Sequence, residues 1–137
     1  MAHTKFPVEI LTPEGEVFND EVEMISTRTT VGEIGVLANH APVLAMLEPT
    51  ELRVYRSEGE ILRFAQSEGY IQIGGNRAML LVQQVETPDQ LDVSTLRERL
   101  SEAERELDAA GDDSERRRQA LREQKRWQVF LKVAEGS

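Results

Sequence analysis

At 137 residues the chain has room for one domain, or for one small domain with an appendage. Hydrophobic content of 39% and charged content of 30% fit a soluble protein; aromatics make up only 5%, so its modest core must rest on Val, Ile, Leu and Met. The absence of cysteine excludes a disulfide framework, thiolate chemistry and Cys-based zinc sites, and a formal charge of −9 argues against a general nucleic-acid binder, because phosphate is repelled over most of the surface.

The distribution of charge says more than the total. Residues 1–88 carry 6 basic and 13 acidic side chains, residues 89–113 carry 3 and 9, and residues 114–137 carry 7 and 3. The last segment is therefore basic on an acidic protein, a candidate contact for an acidic partner. The opening Met1-Ala2-His3-Thr4-Lys5 is not followed by an apolar run, and no apolar stretch approaches the ~20 residues that cross a bilayer. The expectation is a cytosolic protein, or one held at a membrane only through a partner.

Up to about Thr87 the pattern is that of strands. Val8 and Ile10 alternate with Pro7 and Glu9, and Thr12-Pro13-Glu14-Gly15 predicts a reversal. Val22, Met24 and the polar Ser26 alternate with Glu21, Glu23 and Ile25 as a second strand. The stretch from Gly32 to Leu44 then packs two glycines, the Asn39-His40 pair and Pro42 between apolar segments. It reads as a long turn, and with no chemistry nearby it suggests a surface shaped for another protein. Leu52 and Val54 face Ile61 and Phe64 across Ser57-Glu58-Gly59-Glu60, a hairpin turn. Tyr70–Ile73 meets Ala78–Val82 across Gly74-Gly75-Asn76, where glycine permits positive φ. Short strands separated by turn signals roughly every 8–12 residues predict an antiparallel sandwich or barrel over residues 1–87.

The period changes at Glu86-Thr87-Pro88-Asp89-Gln90. Leu96, Leu100, Ala103, Leu107 and Ala110 form one stripe of an amphipathic helix, with Thr95 and Glu98 at capping-box spacing and Asp92 and Ser94 as rival caps. Gly111-Asp112-Asp113-Ser114 links it to a second helix, on which Leu121, Trp127, Leu131 and Ala134 share a face interrupted by Gln124. The short link makes residues 88–137 an antiparallel hairpin. Its stripes are thin: the first helix buries about 5–8 kcal/mol at roughly 1.5–3 kcal/mol per large apolar side chain. Conformational entropy of about 1–2 kcal/mol per residue opposes that. Such a hairpin is expected to depend on what it docks against, and to be separable from it.

Candidate chemistry is sparse. His40 lacks a nearby nucleophile with an orienting carboxylate, so it reads as a turn histidine; a small enzyme using His40 is the least favoured reading. Gly69-x4-Gly74 lacks the Lys and Ser/Thr of a phosphate loop. No acidic cluster has calcium-loop spacing. Trp127 lies on the apolar stripe, where packing is its expected role. Arg116, Arg117, Arg118, Arg122, Lys125 and Arg126 face only Glu115 and Glu123 within residues 115–126, which makes this run either a solvated face or an acidic-partner surface.

Gly32-Glu33-Ile34-Gly35-Val36-Leu37 with Asn39-His40-Ala41-Pro42, then Leu47-Glu48-Pro49 and Leu52-Arg53-Val54, resembles the Gly-x-x-Gly…His-Ala-Pro segment of the epsilon subunit of bacterial F-type ATP synthases. Ser67-Glu68-Gly69-Tyr70, Leu91-Asp92, Gly111-Asp112-Asp113 and Lys125-Arg126…Val133-Ala134-Glu135 follow in the family's order. The resemblance implies a ten-stranded flattened β-sandwich (residues 1–87) binding the gamma subunit and the ring of c subunits, and a regulatory hairpin (residues 88–137). It implies a non-catalytic rotor subunit of the central stalk that couples proton flow to ATP synthesis, peripheral to the cytoplasmic face of the cell membrane. Glu33, His40, Ala41 and Pro42 would meet the c ring. The hairpin would extend along gamma into the alpha/beta head and stop hydrolysis, its basic helix facing an acidic segment of beta. Some members bind ATP in the hairpin through Ile/Leu-Asp-x-x-Arg-Ala; here Leu91 and Asp92 are present but Thr95-Leu96 replaces Arg-Ala, which removes a phosphate partner. Leu91, Asp92 and Arg126 remain the nucleotide candidates, and no cofactor is expected. The alternative is an unrelated β-sandwich adaptor with a basic helical arm.

Overall fold

The computed structural model describes residues 3–136. Ten strands come first: β1 (Phe6–Thr12), β2 (Gly15–Val22), β3 (Met24–Thr29), β4 (Gly32–Leu37), β5 (Val43–Leu47), β6 (Thr50–Ser57), β7 (Glu60–Gln66), β8 (Gly69–Gly74), β9 (Arg77–Val82) and β10 (Val85–Glu86). A one-turn 3-10 helix, Pro88–Gln90, leads to α1 (Val93–Ala110) and α2 (Ser114–Ala134).

The strands form two layers, β5-β8-β9-β1-β2 and β4-β3-β6-β7-β10, joined where Thr29 of β3 meets Leu47 of β5. All pairs are antiparallel except β1 with β9, which run parallel with Ile10 beside Leu80. Each layer turns alternate side chains inward, and the two sets meet as one core: Phe6, Val8, Ile10, Ile71 and Leu80 from one layer, Ile25, Val36, Leu52, Val54 and Phe64 from the other. Phe18 closes the far side edge-on to Phe64, with ring centroids 6.3 Å apart.

The turns follow the sequence closely. Gly75 and Asn76 both have positive φ, 57° and 59°, the geometry of a two-residue hairpin turn between β8 and β9. Two readings of the strand region need correction. The stretch from Gly32 is not one long turn: Gly32–Leu37 is a strand paired along its length with β3, and only residues 38–42 form the connection. The alternation from Glu21 to Ser26 is broken at Glu23, where β2 ends; Val22 and Glu23 are both buried, and β3 thereafter turns Ile25, Thr27 and Thr29 inward.

In α1, Leu96, Ala103 and Ala110 are buried as the stripe predicts. Among the rival caps Asp92 is the one used, its carboxylate accepting from the backbone N–H of Ser94 and Thr95. In α2 the stripe is rotated by one residue from the expected face. Ala120, Trp127, Phe130 and Val133 are buried, whereas Leu121 is 48% exposed. With one large apolar residue in the first turns of α2, the aromatic pair Trp127–Phe130, edge to face at 5.7 Å, fixes the rotation instead.

The hairpin lies over the outward face of β6 and β7. Its apolar cluster comprises Leu96, Ala103, Trp127, Phe130 and Val133, and the sheet adds only Ala65 to the buried set. On the same face Glu51 is gripped by Arg63 through bonds of 2.6 and 3.1 Å and by Arg53 at 2.7 Å.

Two outcomes follow from this packing. At Gly69 an added Cβ would lie 2.0 Å from the carbonyl oxygen of Leu81, a backbone atom that cannot move aside. Gly69→Ala should therefore destabilise the protein by about 2 kcal/mol or more in urea denaturation; an unchanged midpoint would show that the strands separate freely there. At Glu51 the hydrogen bond from Arg63, supported by Arg53, holds the carboxyl below its ordinary value against the opposing effect of burial. That contribution is present above the unfolded carboxyl pKa and is lost as pH falls through the lower folded value. Glu51→Gln should weaken the fold at neutral pH by on the order of 0.5 kcal/mol, the scale of a partly exposed pair, and by nothing in acid. A difference that persists or grows in acid would contradict the assignment.

Candidate partner-binding surfaces

No group of three or more His, Asp or Glu side chains is placed to hold a metal among the described residues. The His40 ring is engaged locally: its Nδ1 donates to the carbonyl of Ala41 at 2.7 Å, and its backbone N–H donates to Leu37. Asn39, also at positive φ, donates its N–H to the Asn76 side chain at 2.7 Å, tying residues 38–42 to the tip of the β8–β9 hairpin. The geometry is that of a braced surface turn.

Glu33 is not beside that turn. It lies at the other end of β4, with about 13 Å of strand between Glu33 and Leu37. There it is 3.5 Å from Arg28. Among the described residues β4 pairs only with β3, so its outer edge is open and runs from Glu33 towards His40, Ala41 and Pro42.

A second surface was not singled out from the sequence. On the outward face of β5, β8 and β9, Leu44 is 75% exposed, Met46 54%, Tyr70 51% and Leu81 46%. Register places Met46 beside Tyr70, Tyr70 beside Leu81 and Leu81 beside the half-buried Leu11 of β1, an apolar row across four strands. A contiguous apolar patch on an acidic, otherwise solvated protein marks a contact surface. The signal was present: Val43–Leu47 is apolar at every position, and Met79–Val82 likewise, as in strands covered on both faces.

The third surface is the basic helix α2. Arg116 pairs with Glu106 at 3.6 Å, Arg118 with Glu115 at 3.4 Å, and Arg117 reaches the carbonyl of Gly111 at 3.5 Å. Arg122 is exposed and lines a groove beside Glu68 and Gln83. Lys125 and Arg126 reach the sheet. Lys125 Nζ lies 2.8 Å from Glu48, and Arg126 pairs with Glu68. Arg126 also packs against the Trp127 ring, which carries Arg99 at 4.9 Å as well. Burial pushes the Arg126 guanidinium below its ordinary pKa.

The nucleotide candidates are not assembled into one site. Leu91 packs into the hairpin's apolar cluster, and the Asp92 carboxylate is occupied as the α1 cap. Arg97, more than a turn beyond that cap, meets Glu135 at the end of α2 at 3.0 Å, while Arg126 stands about two helical turns back from Glu135. A cavity of about 620 Å³ lies between α2 and the outer face of β3 and β6, bordered by both signs of charge, including Arg28, Glu33, Glu48 and Lys132.

Residues 5–88 match the family model for the beta-sandwich domain of the ATP synthase Delta/Epsilon chain. The chain is 36% identical over 106 residues to the ATP synthase epsilon chain of Priestia megaterium, covering 77% of this chain and 78% of the relative. It is 30% identical to that of Sulfurihydrogenibium sp., covering 94% and 96%. In fold it superposes on a chain of the Euglena gracilis mitochondrial ATP synthase with a TM-score of 0.74 at 21% identity, covering 96% of this chain and 80% of that one. The two-layer sandwich, its appended helical hairpin and these likenesses agree, and the chain belongs to the ATP synthase epsilon chain family.

Proposed function

We propose that this chain is the central-stalk rotor subunit of a bacterial proton-translocating ATP synthase, acting by contact and without making or breaking bonds itself. The observation that carries the reading is the apolar row Met46–Tyr70–Leu81 with Leu44, which faces water in the isolated chain. Burying it suits a large, permanent interface, and gamma is the partner assigned to it. The open β4 edge, from Glu33 to the braced turn His40-Ala41-Pro42, is the surface assigned to the polar loops of the c ring. The protein is then peripheral, at the cytoplasmic face of the cell membrane.

The hairpin supplies the regulatory part. If its helices were laid end to end, their 18 and 21 residues would reach roughly 60 Å at about 1.5 Å per residue, enough to run along gamma into the alpha/beta head. Arg116, Arg117, Arg118 and Arg122 would face an acidic segment of beta there, and hydrolysis would stop. No nucleotide is assigned to the hairpin: Asp92 serves as a cap, and Thr95-Leu96 offers no phosphate partner.

Reconstitution of the complex tests both parts. Removing residues 89–137 should leave assembly intact and raise ATP hydrolysis, whereas unchanged hydrolysis removes the inhibitory role. Tyr70→Glu with Leu81→Glu should abolish co-purification with gamma while the isolated subunit keeps its fold. Retained binding would move the gamma contact elsewhere.

A further inference from the structure

The hairpin's attachment to the sandwich is part apolar and part polar. Its buried apolar cluster includes one sheet residue, Ala65, and a charged cavity of about 620 Å³ separates part of α2 from β3 and β6. Two adjacent cations of α2 span the boundary: Lys125 reaches Glu48, 77 positions away in the chain, and Arg126 reaches Glu68. Glu48 and Glu68 stand on two neighbouring corners, the β5–β6 connection and the β7–β8 connection.

Those corners share one internal brace. Gln66 is fully buried, and its side-chain N–H groups donate to the carbonyl of Glu48 at 3.0 Å and to the carbonyl of Ser67 at 2.9 Å. Its side-chain oxygen accepts from the hydroxyl of Thr27, itself buried. Ser67 accepts from the N–H of Gln84 at 2.8 Å, which fixes the second corner further. A buried amide with all its groups satisfied sets one arrangement of the backbone around it.

We propose that Glu48 and Glu68, held in place by Gln66, form an electrostatic latch that closes on Lys125 and Arg126 and keeps the hairpin on the sandwich. Its importance rests on the reading that the hairpin leaves the sheet, but the latch itself is a property of the isolated chain. Arg126 is the stronger half. Its side chain is only 19% exposed, and its buried Nε has no hydrogen-bond acceptor, so Glu68 and the Trp127 ring are what compensate its charge. Lys125 and Glu48, more open to water, form the half that salt screens. The latch has a direct consequence for partners. Lys125 and Arg126 cannot hold the sandwich and an acidic segment of another protein at once, so docking and capture of such a segment compete for the same two charges.

Hydrogen exchange of the full chain tests this. Glu48→Gln combined with Glu68→Gln should raise the opening constant of the α2 amides roughly tenfold at low salt, the scale of losing one exposed and one half-buried pair. Amides of β6 and β7 should be unaffected, and about 0.5 M salt should narrow the difference between variant and wild type. Exchanging the charges, Glu68→Arg with Arg126→Glu, should return α2 exchange towards wild type. Wild-type α2 protection in the double glutamine variant overturns the latch, as does a swapped pair no better than Glu68→Arg alone. If a variant also loosens the strands, the unmodified chain decides: α2 protection falling between about 20 mM and 0.5 M salt supports the latch, and constant protection overturns it. None of these outcomes depends on whether the subunit binds gamma or inhibits hydrolysis.

Discussion

Everything else in the molecule depends on the closure of the β-sandwich upon itself. Phe6, Val8 and Ile10 from one layer meet Ile25, Val36 and Val54 from the other, and no helical side chain enters that core. The junction at Thr29 and Leu47 joins the two layers, and the close approach at Gly69 holds β8 against β9 within one of them. A body complete without its appendage can carry surfaces with other duties: an apolar face on β5, β8 and β9, an open edge on β4, and a seat for a hairpin on β6 and β7.

The three surfaces differ in chemistry, and the difference suits the roles proposed for them. The apolar row on the first layer gains by permanent burial, about 25 cal/mol for each Å² of apolar surface removed from water. The hairpin seat is different: a small apolar cluster supplemented by ion pairs that are strong only while water is kept from Arg126. Charges hold an element in one register and release it without leaving a large apolar scar. That combination fits the arm proposed above to dock and leave, next to a face proposed to stay covered.

Much of the fold was legible in the sequence, because turn chemistry is local. Gly75-Asn76 and Thr12–Gly15 demand reversal whatever surrounds them, and the α1 stripe repeats clearly enough to name its buried residues. The failures have physical causes. At Glu23 two strands meet almost without a loop, so the inward face changes where the alternation looked continuous. Gly32–Leu37 resembled a turn because its glycines masked a strand that needs few large side chains at an edge. On α2 the face was misjudged by one residue, since Leu121 looked like core and the small Ala120 did not. The site was less legible. Charge counting found the basic run, but not that Lys125 and Arg126 are taken up by Glu48 and Glu68, a pairing across distant parts of the chain. The apolar face could have been found from the unbroken run Val43–Leu47.

The most direct test of this account is to make residues 1–88 alone and record their amide spectrum. A self-sufficient sandwich should give dispersed resonances that overlay those of the full chain, apart from the hairpin seat around Glu48, Ala65 and Glu68. A collapsed, poorly dispersed spectrum would mean that the hairpin is part of the core, and an arm free to leave would then be ruled out.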